Sequence, residues 1–258
     1  MIPTAKWINK FLLKPNRWVF IPSLNSKLIG KDICLLLTKK WKAPEYFYHL
    51  RNGGHVQAVR LHQKNNFFSK IDIDNFFGSI TRSRITRSLK PLIGYKKAWE
   101  IAQDSTVKIP DSFPVAHMLP FGFIQSTLLA SICLDKSSLG ESIRELSKDS
   151  RLSISIYVDD IVISSNDFEL LTKATTAIKD ALLRSHWTSS AEKEDICKSS
   201  ITAFNINLSY QAINITEKRL QLFKNSFIST VNPNKKLGII KYIFSVNKGQ
   251  GSNFLQSK

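Results

Sequence analysis

The chain is poor in the residues that build several common kinds of site. Its 258 residues include only three cysteines, Cys34, Cys133 and Cys197, which are widely spaced and form no Cys-x-x-Cys pair. This spacing argues against a disulfide framework and indicates reduced thiols in a cytoplasm. The five histidines show no zinc-ligand spacing. No apolar run is long enough to cross a membrane, and the N-terminus lacks the apolar stretch of a signal peptide. We therefore expect a cytoplasmic protein with no membrane partner.

Acidic residues are also scarce, and the excess positive charge is unevenly distributed. The chain carries 37 Lys and Arg against 20 Asp and Glu, a formal net charge of +17. Residues 1–60 contribute +9 and residues 217–258 contribute +7, whereas residues 61–216 are nearly neutral at +1. Two basic ends beside a neutral middle favour binding to a nucleic-acid backbone. A purely solubilising role for the basic residues is the alternative.

The most informative feature is a pair of adjacent aspartates inside an apolar run. Tyr157-Val158-Asp159-Asp160 lies between two β-branched stretches, residues 154–156 and 161–163, which are typical of the two strands of a hairpin. Burial of two neighbouring carboxylates costs free energy unless a cation, most naturally a divalent metal, balances them. A structural turn is the alternative for an Asp-Asp pair that stands by itself.

A second acidic segment lies upstream. Alternation within residues 67–80 puts Ile71 and Ile73 on one strand face and Asp72 on the other. We expect Asp72 and Asp159 to face each other from adjacent strands. Three carboxylates so placed can hold two Mg²⁺ ions roughly 3.5–4 Å apart, the arrangement of nucleotidyl transfer, and Mn²⁺ is the alternative ion. An edge strand with solvated charges is the other interpretation of this segment.

Three motifs, in this order, resemble those of reverse transcriptases. The segment that resembles motif A is Ile71-Asp72-Ile73-Asp74-Asn75-Phe76-Phe77. The segment that resembles motif B is Leu119-Pro120-Phe121-Gly122-Phe123-Ile124-Gln125-Ser126. The segment that resembles motif C is Tyr157-Val158-Asp159-Asp160. The resemblance extends from about Tyr46 to about Phe223. It is nearest to the prokaryotic retron-like and defence-associated "unknown group" enzymes. It implies an α/β protein with the reverse-transcriptase right-hand fold: fingers, a palm made of an antiparallel sheet backed by helices, and a minimal C-terminal thumb.

The resemblance also divides the chain into three regions. Residues 1–66 would be a basic helical fingers region, residues 67–216 the palm with motifs A to E, and residues 217–258 short basic thumb-like helices with a tail. The fingers–palm insertion and motif B would occupy residues 92–123. We expect short helices over 1–45 with no basic fingers hairpin, and a helix over 46–66 that is bent at Gly53-Gly54. Two helices are expected over 82–106, followed by a loop over 107–120 that contains Pro110, Pro114 and Pro120. Further helices are expected over 125–139, 167–185, 217–230 and 236–246, and a loose tail over 247–258.

The resemblance assigns roles around the aspartates. Asp72, Asp159 and Asp160 would be the catalytic carboxylates and, with the backbone carbonyl of Ile73, the metal ligands. Lys193 falls where the family has the motif D lysine, a proposed general acid for the departing pyrophosphate. A plain solvated charge cluster is the alternative for Lys193.

Other residues would contact the nucleotide. Phe77 lies five residues after Asp72, at the position of a steric gate that excludes a ribose 2′-hydroxyl, and core packing is its alternative. Gly122 would lie under the incoming nucleotide or the template base, where only a residue without Cβ permits close backbone approach. Phe121 stands where the family usually has Gln, which changes the expected substrate contacts. Candidates for triphosphate or template contacts are Arg51, His55 and Arg60.

The implied function is RNA-directed DNA synthesis with two Mg²⁺ ions, which adds dNTPs to a 3′-hydroxyl. The template would be RNA, the product DNA, and the setting bacterial antiphage defence with a non-coding RNA. Because the C-terminal region is short, a second polymerase subunit or a homo-oligomer would supply the remaining grip. The alternatives are an RNA-binding scaffold subunit with little catalysis of its own, or template-independent or protein-templated DNA synthesis.

Overall fold

The computed structural model describes residues 5–14, 17–109 and 116–256. Its strands are β1 Trp7–Lys14, β2 Arg17–Pro22, β3 Phe67–Asp72, β4 Val107–Lys108, β5 His117–Met118, β6 Ser153–Tyr157, β7 Asp160–Ser165, β8 Asp195–Lys198, β9 Ser200–Ala203, β10 Ile206–Ser209 and β11 Ala212–Ile215. Its α-helices are α1 Leu24–Lys40, α2 Gly54–Leu61, α3 Arg82–Ile93, α4 Tyr95–Ser105, α5 Ser126–Asp135, α6 Ser138–Leu146, α7 Phe168–Arg184, α8 Glu217–Ser229, α9 Pro233–Val246 and α10 Lys248–Gln256. None of the described helices is long and apolar enough to span a bilayer.

The chain forms two compact units. The first comprises Met1–Glu45, Ile73–Glu145 and Ile178–Ser189, and the second comprises Tyr46–Asp72, Leu146–Ala177 and Ser190–Lys258. The assignment of residues 1–66, 67–216 and 217–258 to fingers, palm and thumb remains a prediction.

The first unit begins with a basic antiparallel hairpin, β1 with β2. The expectation of short helices without such a hairpin was wrong for this part of the chain. Both strands carry aromatic and cationic residues, and the ammonium group of Lys10 lies 4.8 Å from the ring centroid of Trp18 on the opposite strand. This cross-strand packing stabilises extended backbone.

The helical core of the first unit matches the apolar pattern of the sequence. The expected pair of helices over 82–106 is confirmed as α3 and α4. The core side chains of α5 and α6 include Leu128, Leu129, Ile132 and Leu139, which are all buried. The single helix expected over 125–139 was wrong, because the helix ends at Asp135 and a new one starts at Ser138. The hydroxyl of Ser137 accepts a hydrogen bond from the N–H of Gly140 and so caps the new helix.

The loop expected over 107–120 also contains structure. The short strands β4 and β5 pair, with Val107 opposite Met118, and both residues belong to a buried cluster with Phe20 and Phe123. Residues 110–115, which include Pro110 and Pro114, lie outside the described residues. The apolar side chains at both ends therefore bring the segment together as a strand pair.

A four-stranded antiparallel sheet, ordered β6-β7-β3-β8, organises the second unit. The hairpin predicted around the two aspartates is confirmed as β6 and β7. Strand β3 pairs with β7 from Phe67 opposite Ser165 to Asp72 opposite Asp160. The sheet thus places the end of β3 directly beside the turn between β6 and β7.

Beneath this sheet the second unit buries a polar network. His62 hydrogen-bonds through Nδ1 to the hydroxyl of Ser164 at 2.7 Å and through Nε2 to that of Ser155 at 2.8 Å.

The helix expected over 46–66 is shorter than predicted: a 3₁₀ turn covers Tyr48–Leu50 and α2 begins at Gly54. Gly53 caps α2 in the left-handed region with φ +87°, which explains the break.

A second sheet, β11-β10-β9, packs with the C-terminal helices. The two helices expected over 217–230 and 236–246 are confirmed as α8 and α9. The loose tail was a wrong expectation, because α10 forms there and buries Phe254. The side chains of α8 that pack on this core are Leu220, Phe223 and Phe227.

Candidate active site

The turn between β6 and β7 carries the aspartate pair in a strained conformation. Tyr157 pairs with Asp160, which leaves Val158 and Asp159 as a two-residue turn. Val158 has φ +61°, a conformation that is rare for a β-branched residue and costs about 1–2 kcal/mol. Strain of this kind persists only where the surrounding structure imposes it.

The β3–β7 register brings two carboxylates together. Asp72 at the end of β3 lies directly opposite Asp160 at the start of β7, and directly opposed residues of an antiparallel pair share one face of the sheet. The adjacent strands are as predicted, but the residue in register with Asp72 is Asp160, and Asp159 lies one position earlier in the turn. The side chain of Asp72 is largely buried, with 11% of it exposed.

Burial and the neighbouring carboxylates favour the protonated form of Asp160. Burial, together with the charges of Asp159 and Asp72, raises the pKa of Asp160 to about 7. Lys70 and Lys193 act in the opposite direction but do not offset these effects. The cluster therefore holds more negative charge than its surroundings neutralise, which is the condition under which a cation binds.

Lys193 is part of this cluster. It ends a 3₁₀ turn, Ala191–Lys193, and its ammonium group donates a hydrogen bond of 2.8 Å to the carboxylate of Asp72. That hydrogen bond is the largest cause of a raised pKa of Lys193, which the charges of Asp72, Asp159 and Asp160 raise further. The structure thus joins Lys193 to the carboxylates, although most of its side chain is exposed.

The donors suit a hard divalent cation, although they do not form a complete cage. Within the described ranges, no group of three or more His, Cys, Asp or Glu side chains is arranged to hold a metal ion. Carboxylate oxygens are nevertheless the ligands that Mg²⁺ prefers, and it binds through one or two of them with substrate phosphates completing its shell. The in-register Asp72 and Asp160, with Asp159 beside them, therefore fit Mg²⁺ or Mn²⁺ in chemical type.

His49 supports the strained turn, a role that no motif or periodicity in the sequence indicated. Its Nδ1 accepts a hydrogen bond of 3.0 Å from the backbone N–H of Val158. Its ring also meets the ring of Tyr157 edge to face, with centroids 5.8 Å apart. Burial lowers the pKa of His49 to about 4 despite an opposing hydrogen bond with the backbone of Ile156. A neutral imidazole is the form that can accept the Val158 N–H.

An aromatic cavity of about 400 Å³ adjoins Tyr157. Phe204 and Asn205, both at positive φ, form the turn between β9 and β10 at its edge. The cavity is lined by His55, Tyr157, Phe204, Asn205, Arg219, Phe223 and Tyr242.

The two arginines predicted to contact the triphosphate or template are held by other groups. The guanidinium of Arg60 donates to the carbonyl of Ser245. That of Arg51 stacks over the ring of Tyr48, with 5.1 Å to the centroid. His55 hydrogen-bonds to the hydroxyl of Tyr242 at 3.0 Å. Their proposed nucleotide contacts remain predictions.

In the first unit, the gate candidate Phe77 is buried against Phe121. Their ring centroids are 4.6 Å apart. The guanidinium group of Arg17, from the basic hairpin, lies over the ring of Phe121, 4.5 Å from its centroid. Phe121, which stands where the family usually has Gln, therefore stacks against the guanidinium group of Arg17. Arg17 was not identified from the sequence as a contact of this segment.

The backbone conformation at position 122 requires a glycine. It has φ +102°, and a Cβ at this position would clash with the carbonyl oxygen of Phe20 on β2. The neighbouring Phe121 carbonyl accepts the N–H of Phe20 at 2.9 Å. Gly122 thus allows a close approach of its own backbone to β2. The predicted contact of Gly122 with a nucleotide remains a prediction.

One antiparallel sheet thus presents acidic residues at the end of β3 and at the neighbouring β6–β7 turn. The sequence matches the family "Reverse transcriptase (RNA-dependent DNA polymerase)" over residues 9–235. The chain therefore belongs to the reverse transcriptase family, and this membership supports RNA-directed DNA polymerase activity.

Individual relatives agree with this assignment. The Retron Ec83 reverse transcriptase of Escherichia coli is 22% identical over 248 residues, which cover 87% of this chain and 77% of the relative. Among solved structures, the telomerase of Candida albicans in complex with a fragment of telomeric RNA aligns with TM-score 0.59 and 10% identity, over 93% of this chain and 55% of that one. The foamy viral protease-reverse transcriptase in complex with an RNA/DNA hybrid aligns with TM-score 0.50 and 17% identity, over 96% and 30%. The chain spans about half or less of these two solved proteins, and the likeness shows the α/β reverse-transcriptase fold.

Proposed function

We propose that this chain is an RNA-directed DNA polymerase that adds dNTPs to a 3′-hydroxyl at the carboxylates Asp72, Asp159 and Asp160. The observation that carries the proposal is the register of Asp72 with Asp160, which joins motif A to motif C on one sheet face. A protein that only binds RNA gains nothing from repelling carboxylates at a strained turn, whereas a metal-dependent polymerase needs them.

Two Mg²⁺ ions are the proposed cofactors, held by the three aspartates and the backbone carbonyl of Ile73. When bound, the ions would supply positive charge that activates the attacking hydroxyl and stabilises the triphosphate. The protein's own part is to fix the carboxylates on adjacent strands. The ammonium group of Lys193 at Asp72 offsets part of their charge, and we assign to it the proton that the departing pyrophosphate takes up.

The proposed partners are an RNA template or non-coding RNA, the DNA product and dNTPs. The net charge of +17 supports a polyanionic partner, and relatives of the chain include a retron enzyme and a structure that contains an RNA/DNA hybrid. The proposed setting is antiphage defence in a bacterial cytoplasm, where thiols such as the unpaired Cys34, Cys133 and Cys197 stay reduced. A second subunit or a homo-oligomer would complete the grip on the product.

A scaffold subunit that binds RNA without synthesis is the second candidate. It is favoured by the incomplete metal cage among the described residues and by Phe121 in place of an amide side chain. Tight RNA binding without Mg²⁺, with no dNTP incorporation on any template, would support it.

The deciding experiment is incorporation of labelled dNTPs by protein purified with its bound nucleic acid, with Mg²⁺ or Mn²⁺. Wild type is compared with Asp159→Ala/Asp160→Ala and with Asp167→Ala, a control that removes an exposed carboxylate next to β7. We expect wild type and the control to incorporate dNTPs and the double variant to be inactive while still folded. Full activity of the double variant would refute the polymerase assignment, and sequencing the product would identify the template.

A further inference from the structure

A cationic pocket of about 240 Å³ lies in the first unit, formed by α3, the link between α5 and α6, and the end of α7. None of its residues belongs to the carboxylate cluster. We name it the arginine pocket, and it is lined by Arg84, Arg87, Ser88, Cys133, Lys136, Ser137, Ser138, Glu141, Arg184, Ser185 and His186.

The positive charge of the arginine pocket is not neutralised from within. Four cationic side chains and a single carboxylate, that of Glu141, line it. Among the described residues, no carboxylate lies within ion-pair distance of Arg84, Arg87 or Arg184. Arg84 and Arg87 are three positions apart on α3, a spacing at which like charges destabilise a helix. An uncompensated group of this kind is expected where an external anion supplies the missing charge.

The guanidinium of Arg84 is held in place before any ligand arrives. It lies over the ring of Trp187, with 4.3 Å to the centroid, and donates a hydrogen bond of 2.8 Å to the carbonyl of Ser185. Burial is the largest cause that lowers its pKa, and the charge of Arg87 lowers it further. A fixed arginine loses little freedom when an anion binds, so the pocket is preorganised.

Arg87 and Arg184 are exposed at the mouth of the pocket, where they remain free to turn toward a ligand. The hydroxyl of Ser138 lies among the lining residues and adds a neutral donor, whereas that of Ser137 already donates to the carbonyl of Leu134. Lys136 is the exception among the cations, because it pairs with the buried carboxylate of Asp135 at 3.2 Å. Guanidinium forks together with a hydroxyl donor match the oxygens of a phosphate group.

From these contacts we propose that the arginine pocket binds a phosphate group, separately from the nucleotide that is polymerised. The group belongs either to a nucleic-acid backbone or to a free phosphorylated small molecule, since both present the same oxygens. The proposal does not rest on polymerase activity, because no residue of the pocket takes part in the proposed chemistry.

Two binding measurements without dNTPs and without Mg²⁺ test it. One is calorimetric titration with pyrophosphate, and the other is fluorescence anisotropy with a labelled single-stranded RNA over a range of salt concentrations. The variant is Arg87→Gln/Arg184→Gln, which removes two exposed charges. The matched control is Lys90→Gln/Lys96→Gln, which removes two exposed charges from α3 and α4 outside the pocket. Circular dichroism confirms that both variants fold.

We expect the arginine variant to weaken binding of at least one probe by about tenfold, and the lysine control to change it by less than about twofold. Loss of RNA affinity, with a salt slope reduced by about 1.4 for two lost contacts, identifies a nucleic-acid backbone as the source. Loss of pyrophosphate binding identifies a free phosphorylated ligand. Arg87→Lys/Arg184→Lys should bind at an intermediate strength, because lysine keeps the charge but not the fork. Equal behaviour of the arginine variant and the lysine control with both probes would overturn the proposal.

Discussion

The imidazole of His49 accepts the backbone N–H of Val158 at 3.0 Å, across 109 positions of sequence. This contact fixes the backbone immediately before Asp159 and Asp160, the proposed catalytic aspartates. Since Val158 is at positive φ, the hydrogen bond helps to impose a turn that the residue alone disfavours. His49 is therefore a positioning residue for motif C.

His49→Phe keeps a ring beside Tyr157 but removes the acceptor. We expect kcat for dNTP incorporation to fall by up to about 10²-fold, because small misplacements of catalytic groups have large effects, while KM for the dNTP changes little. His49→Gln, whose amide oxygen can accept the N–H, should recover part of the rate. Steady-state kinetics measure both values. Equal kcat for wild type and His49→Phe would show that the contact serves folding alone.

The strained backbone at Val158 predicts how substitutions there change the free energy of unfolding. Val158→Gly should give a more stable protein than Val158→Ala by about 1 kcal/mol, because only glycine adopts φ +61° without steric cost. Urea denaturation of both variants measures the difference in the free energy of unfolding. If alanine is as stable as glycine, the turn is not strained and the support from His49 is not needed.

The sequence predicted much of this site because its signals are local. Alternation within β3, the β-branched flanks of the aspartate pair and the order of three motifs located Asp72, Asp159 and Asp160. The register that pairs Asp72 with Asp160 is a tertiary property, and alternation along one strand cannot specify it. The role of His49 was equally out of reach, because a backbone N–H carries no sequence signal.

The basic hairpin was missed for a different reason. Lysines and prolines among aromatic residues read as broken helix, whereas stacking of Lys10 on Trp18 stabilises paired strands. The platform that Phe121 offers to Arg17 depends on the same hairpin. An error in one element therefore concealed a contact in motif B.

Lys193 is either a proton donor or a solvated charge, and its contact with Asp72 favours the first. Lys193→Gln should lower the incorporation rate by about 10²-fold or more, and Lys193→Arg should recover little because a guanidinium does not release its proton. Lys198→Gln is the control, since Lys198 pairs with Asp195 in the same stretch. Rapid-quench kinetics of a single addition provide the rates. A loss of only a few-fold in Lys193→Gln would assign it to the solvated cluster.

Phe77 is buried at 6% exposure beside Phe121, a position compatible with gate and core alike. Phe77→Val should raise the ratio of NTP to dNTP incorporation by about tenfold or more if its ring excludes the 2′-hydroxyl. Phe76→Val, which removes a ring packed on Trp187, is the control for lost core volume. Both variants should lose about 2–4 kcal/mol of stability, so selectivity separates the two roles. An unchanged ratio in Phe77→Val would leave core packing as its function.

Buried His62 predicts how folding responds to acid. Burial lowers the pKa of His62 to about 3, whereas in the unfolded chain a histidine titrates near 6.5. Between these values the unfolded state binds a proton that the folded state does not, so the free energy of unfolding falls as the pH is lowered, by up to about 1.4 kcal/mol per unit. Above pH 6.5 the imidazole is neutral in both states and has no effect on the slope.

Comparison with His62→Gln isolates this contribution from that of the carboxylates. The variant should be less stable at neutral pH, because the hydroxyls of Ser155 and Ser164 lose their partner, but its stability should decline less steeply between pH 6.5 and 4.5. Urea denaturation across this pH range gives both curves, and parallel curves for wild type and His62→Gln would contradict the assignment. A steeper wild-type curve would show that a neutral histidine under the β6-β7-β3-β8 sheet ties the stability of the fold to pH.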